Sequence, residues 1–125
     1  MTRDEAERIF DDRVRAWLAA DVDAYLACWH DDMAITLPHL DEPLVGLPAY
    51  RALVERSFAW AEPVSFDVHA LGIDGDVVLA EWTLQARRRD DGVTVEWSRM
   101  SACEVVDRRI TWWREYHRRP AAPVG

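Results

Sequence analysis

Trp113, Glu115 and His117 stand two residues apart near the C-terminal end of a 125-residue chain. Two is the repeat of one face of a β-strand, so the three side chains share a side. A carboxylate and an imidazole placed in this way can divide proton removal and proton return between them. Trp97, Arg99 and Ser101 repeat the spacing in the preceding segment, as do Trp82 and Leu84 in the one before it. Arg99 could stabilise a developing enolate or alkoxide. Apolar rings on one side, and Arg99 or Arg114 on the other, decide whether Glu115 serves as acid or base. Trp82, Trp97 and Trp113 together could form an aromatic box for a flat polycyclic or terpenoid ligand, or for a cation over ring faces.

Other chemistries find little support. The chain has no phosphate-binding glycine loop, dinucleotide fingerprint, nucleophile elbow or His-x-x-x-His pair. Cys28 and Cys103 have no metal-type spacing and no recognisable histidine partner, so two free thiols are expected. With four histidines and no cluster, neither a metal nor another cofactor is expected.

The elements that must position these residues are legible from periodicity. Thr2-Arg3-Asp4-Glu5 is a capping-box sequence. Ala6, Ile9, Phe10, Arg13, Val14, Trp17 and Leu18 then trace one face of a first helix. Arg13 is the one charged member of that stripe. It either snorkels at the stripe's edge or aims into an internal cavity. Asp21 can cap a short second helix with Val22, Tyr25, Leu26 and Trp29 inward, ended by His30-Asp31-Asp32. Met33 to Leu37 reads as a short strand and Pro38 to Gly46 as a loop. A third helix, with Pro48 near its start, turns Leu47, Tyr50, Leu53, Val54, Ser57 and Phe58 inward and ends by Pro63. From there the period falls to two. Turns at Asp74-Gly75, Asp91-Gly92 and Asp107-Arg108-Arg109 divide the remainder into four hairpin-linked strands, the last from Ile110 to Arg118. Pro120 to Gly125 reads as a frayed tail. The fold class is α+β: a cone-shaped, curved antiparallel sheet wrapped around three helices of the N-terminal half, with an internal cavity.

Length and charge fit one domain, residues 1–125. The formal net charge of -8 argues against nucleic acid and anionic membrane as partners. No stretch reaches membrane-span length, and the charged N-terminus lacks a signal peptide's apolar run, so a cytoplasmic location is expected. All 15 basic residues are Arg, and seven residues are Trp.

Trp29-His30-Asp31-Asp32-Met33, Gly46 before the third helix, and Arg109-Ile110-Thr111-Trp112-Trp113-Arg114-Glu115-Tyr116 together resemble the nuclear transport factor 2-like superfamily. That superfamily includes ketosteroid isomerases, SnoaL-type polyketide cyclases and limonene-epoxide hydrolase. The resemblance implies the cone fold and places positions 113, 115 and 117 toward the cavity. By strand parity, Trp82, Leu84, Trp97, Arg99 and Ser101 join them. It also implies which chemistry is missing. The epoxide hydrolase's last-strand carboxylate falls on Glu115, but its arginine falls on Trp82 and its second aspartate on Leu84. Its water-positioning tyrosine and asparagine fall on Thr36 and Pro38. That hydrolase mechanism is not expected here. The ketosteroid isomerase base falls on Leu37, its oxyanion-hole tyrosine near Arg13, and its protonated aspartate near Ser101 or Ala102. Isomerisation by that route is not expected either.

The expected function is therefore cofactor-independent acid–base chemistry (isomerase, cyclase or lyase type) on a hydrophobic small metabolite. Glu115, Arg99 and His117 are the catalytic candidates. Trp82, Trp97, Trp113, Ser101, Leu84 and Arg13 are the substrate-binding candidates. Two alternatives stay open: a non-catalytic binder of a hydrophobic ligand, with Glu115–Arg99 as scaffolding, and a protein-interaction module. Trp112, Arg114 and Tyr116 are expected on the convex sheet face, where the resemblance implies a homodimer. His39 and Asp41 belong to a loop that either lids the cavity or is simply solvated.

Overall fold

In the computed structural model, residues 1–117 are described. Positions 118 to 125, including Arg118 of the expected last strand and the expected frayed tail, lie outside the described residues. Helix α1 (Arg3–Leu18) begins where the sequence places it: Thr2 Oγ1 accepts from the Glu5 amide at 3.2 Å. Its buried face is Ala6, Ile9, Phe10, Arg13 and Ala16, whereas Leu18 is exposed. Helix α2 (Val22–Leu26) is capped by Asp21, whose side chain accepts from the Ala24 amide at 3.1 Å. Strand β1 (Trp29–Thr36) follows at once, then the two-residue strand β2 (Leu44–Val45) and helix α3 (Leu47–Trp60). Four long strands complete the described residues: β3 (Ala61–Asp74), β4 (Val77–Arg88), β5 (Thr94–Val106) and β6 (Arg109–His117).

Among the described residues, three helices pack on one curved, unclosed sheet of six strands, in the order β2-β1-β6-β5-β4-β3. Two expectations need correction. The sheet is mixed, because β1 runs parallel to β6. Hairpin turns enforce antiparallel pairing from β3 to β6. The β1–β6 pair has no local turn, and the long intervening chain supplies the crossover that a parallel pair requires. Strand β1 also starts earlier than expected. Trp29 belongs to it, and His30-Asp31-Asp32 continues the strand instead of merely ending a helix.

The turns between the long strands use left-handed backbone. Gly75 and Gly92 have φ of 61° and 72°, and Asp107 and Arg108 adopt the same region without glycine. The core lies between α1 and the concave sheet face, with Trp29, Met33, Ile35, Val78, Cys103, Ile110 and Trp113 all essentially inaccessible. No helix among the described residues is long and apolar enough to cross a membrane.

Burial sets a contrast within this core. Met33 is fully buried and Leu18 is 41% exposed. Met33→Ala should lower unfolding stability by about 2–5 kcal/mol, and Leu18→Ala by about 1 kcal/mol or less. Urea denaturation of the two variants checks the ranking.

Candidate functional site

Helices and sheet leave between them a cavity of about 240 Å³. Arg13 of α1, Tyr25 of α2 and Tyr50 of α3 enter it from the helical side. Trp82 and Leu84 of β4, Trp97 and Arg99 of β5, and Glu115 of β6 enter it from the sheet. Strand parity therefore brings together most of the residues it nominated. The volume lies just below the ~300–1,000 Å³ usual for small-molecule pockets, so the space suits a compact ligand. Trp60, at the end of α3, is exposed and faces Trp97 with ring centroids 6.1 Å apart.

Arg99 and Glu115 form the charged element of the sheet wall. Arg99 Nη1 donates to Glu115 Oε2 at 2.7 Å, and the two side chains are 14% and 11% exposed. Across β5 and β6 Arg99 is in register with His117, so its guanidinium reaches diagonally to Glu115. Trp113 Nε1 donates to the other oxygen, Glu115 Oε1, at 3.0 Å. Each carboxylate oxygen thus has a fixed donor, and Glu115 is oriented from two sides.

Three nominated residues lie elsewhere. Trp113 is 1% exposed and is not part of the cavity lining. It packs against Phe10 and Trp29 and holds Glu115 from behind. Ser101 is also buried behind the wall, accepting from Trp82 Nε1 at 3.1 Å and thereby fixing that ring. His117 is exposed and lies in an adjoining groove with Glu96, a groove that shares His39, Trp97 and Arg99 with the cavity. The three tryptophans therefore do not form one box.

The space over Trp113 is taken by the protein's own cation. The Arg13 guanidinium carbon lies 4.1 Å from that ring's centroid, and within 6.0 Å of Phe10, Tyr25, Trp29 and Phe66. Arg13 is 3% exposed, which settles its two readings in favour of the interior. Its Nη2 donates to the Tyr25 hydroxyl at 3.1 Å, and the Tyr25 and Tyr50 hydroxyls are 2.8 Å apart. Sequence reasoning placed both tyrosines on inner helix faces but did not join them. The available signal was that a buried phenol requires a hydrogen-bond partner.

Electrostatics follow from burial. Desolvation acts to lower the Arg13 pKa; the neighbouring Tyr25, Tyr50 and Cys103 outweigh it, and the guanidinium stays cationic. Burial pushes the Tyr50 phenol well above its ordinary range, with Tyr25 and Glu115 adding to the shift against the opposing Arg13. Burial likewise raises the Cys103 thiol to about 12, so it is not a thiolate nucleophile at neutral pH.

A family model for the SnoaL-like domain matches residues 8–113 of the chain. No curated protein matches it by sequence. Among solved structures it is similar to a Mycobacterium tuberculosis epoxide hydrolase of the limonene-epoxide type, at 26% identity and a TM-score of 0.77, covering 91% of this chain and 83% of that one. It is similar to a Bacillus subtilis protein proposed as an isomerase, at 19% identity and a TM-score of 0.82, covering 92% and 87%. A Catenulispora acidiphila protein with a ketosteroid isomerase-like fold, solved with trimethylamine, matches at 16% identity and a TM-score of 0.76, covering 86% and 83%.

The Tyr50 shift fixes the sign of an alkaline effect. Its folded pKa is raised, so its contribution to stability is complete below the unfolded phenol pKa of about 10. That contribution is lost as pH rises through and above this value. Unfolding midpoints in urea should fall between pH 9 and pH 11, and the fall should be shallower in Tyr50→Phe.

Proposed function

The chain belongs to the family of SnoaL-like domains, and we propose that it is a small enzyme catalysing proton transfer on a compact, largely apolar metabolite held in the cone. The observation that carries this reading is Glu115: a carboxylate at the wall of a mostly apolar cavity, fixed by two donors. In the proposed step Glu115 removes a proton from carbon next to a carbonyl. The C–H electron pair passes to the carbonyl oxygen as an enolate. The carboxylic acid so formed returns the proton to the same or a conjugated carbon, which makes the net reaction an isomerisation or the first half of a cyclisation or elimination. Arg99 orients the carboxylate and places positive charge at the cavity wall. Trp82, Leu84 and Trp97 contact the apolar body of the substrate. His117, exposed in the neighbouring groove, is given no part in the step.

One observation favours a second reading. Both Glu115 oxygens already accept hydrogen bonds, as a structural carboxylate's would. On that reading the protein binds an apolar ligand without converting it. The two are separated by deuterium uptake at the α-carbons of a carbonyl panel in D2O, followed by NMR. The enzyme reading predicts catalysed exchange with the native chain and a loss of about 10²–10⁴-fold in Glu115→Gln. Exchange equal in native protein and variant, or none with a compound that binds, leaves the binding reading.

We propose a second copy of the chain as partner for the convex face. There Met100 of β5 and Tyr116 of β6 are in register and 52% and 62% exposed, with Leu79 of β4 also exposed. Sedimentation should show a dimer that Tyr116→Glu converts to monomer; a native monomer would exclude it.

A further inference from the structure

Arg13 is a buried cation whose charge the described residues do not neutralise. No carboxylate among them lies within ion-pair distance of it, and its Nε and Nη1 have no hydrogen-bond partner. Rings and one phenol surround it instead. A buried charge left in this state is costly, and burial is the condition under which a counter-charge is worth most.

Two further observations point the same way. Arg13 can only donate, so Tyr25 accepts from it. The Tyr25–Tyr50 contact then uses one of the two phenolic hydrogens, whichever ring supplies it. One phenolic hydrogen is left over, and both hydroxyl-bearing side chains line the cavity. The fixed charges of the lining make the second observation. Arg13 and Arg99 face a single carboxylate, Glu115. The interior is therefore net positive in a chain whose formal net charge is -8.

We propose that Arg13, Tyr25 and Tyr50 form the anion-recognition end of the cavity, and that its natural occupant is a compact apolar molecule carrying one ionised carboxylate. The occupant's charge neutralises Arg13, its oxygen takes the remaining phenolic hydrogen, and its apolar body meets Trp82, Leu84 and Trp97. A cationic ligand is disfavoured, because the lining already sets two arginines against one carboxylate. This rests on the cavity being the ligand site, but not on Glu115 moving a proton.

The test is binding, with benzoate and its neutral isostere benzamide as probes, measured by calorimetry and tryptophan fluorescence at pH 7.5. The native chain should bind benzoate at least tenfold more tightly than benzamide. Arg13→Met should abolish that preference. Arg13→Gln, which keeps a polar side chain but not the cation, should lose the preference likewise. If Arg13→Met does not fold, the native comparison and Arg13→Gln decide the matter. Benzamide binding as tightly as benzoate, binding of neither probe, or an undiminished benzoate preference in Arg13→Met or Arg13→Gln would overturn the proposal. The readout involves no turnover, so a failure of the proton-transfer reading leaves these affinities as an independent result.

Discussion

A buried guanidinium held among aromatic rings at the cavity wall is the constraint on which the interior is built. Taking a cation out of water costs several kcal/mol even after relaxation. Here one Tyr25 hydroxyl and the faces of five rings offset that cost. Cation–π contacts contribute ~2 kcal/mol or more when desolvated. The rings come from α1, α2, β1, β3 and β6, so holding Arg13 ties the helical layer to both ends of the sheet. The high aromatic content thus serves packing and charge together.

The sheet wall uses charge differently. Arg99 and Glu115 compensate each other at 2.7 Å, and Trp113 adds a second point of attachment. The same indole lies under Arg13, so one ring supports the paired charge with its N–H and the unpaired charge with its face. Ser101 does similar service for Trp82. Residues behind the wall set the orientation of those that meet a ligand, and this is why Trp113 and Ser101 matter without touching the cavity.

Local patterns made much of this legible. The three- and four-residue spacing of Ala6, Ile9, Phe10 and Arg13 specifies the buried face of α1, and the Asp-Gly turns specify the long hairpins. Parity put Leu84, Trp97, Arg99 and Glu115 on one surface. Non-local facts were not legible. The parallel β1–β6 pair has no turn to announce it, and Trp29 continues the helical spacing of Val22, Tyr25 and Leu26 although the chain has already become extended. Parity also cannot tell cavity from core: Trp113 and Glu115 share a face, yet the helices cover the first and leave the second at the cavity. The Tyr25–Tyr50 contact depends on how α2 packs on α3, which neither segment encodes alone.

Arg13 is proposed as an interior cation that a bound anion neutralises. The resonances of the arginine Nε–H groups, 15 in all, test it most directly. One of them should be displaced by ring currents from Trp113, exchange slowly with solvent, and shift on addition of benzoate. Fifteen rapidly exchanging Nε–H signals at ordinary positions, none responding to benzoate, would contradict it.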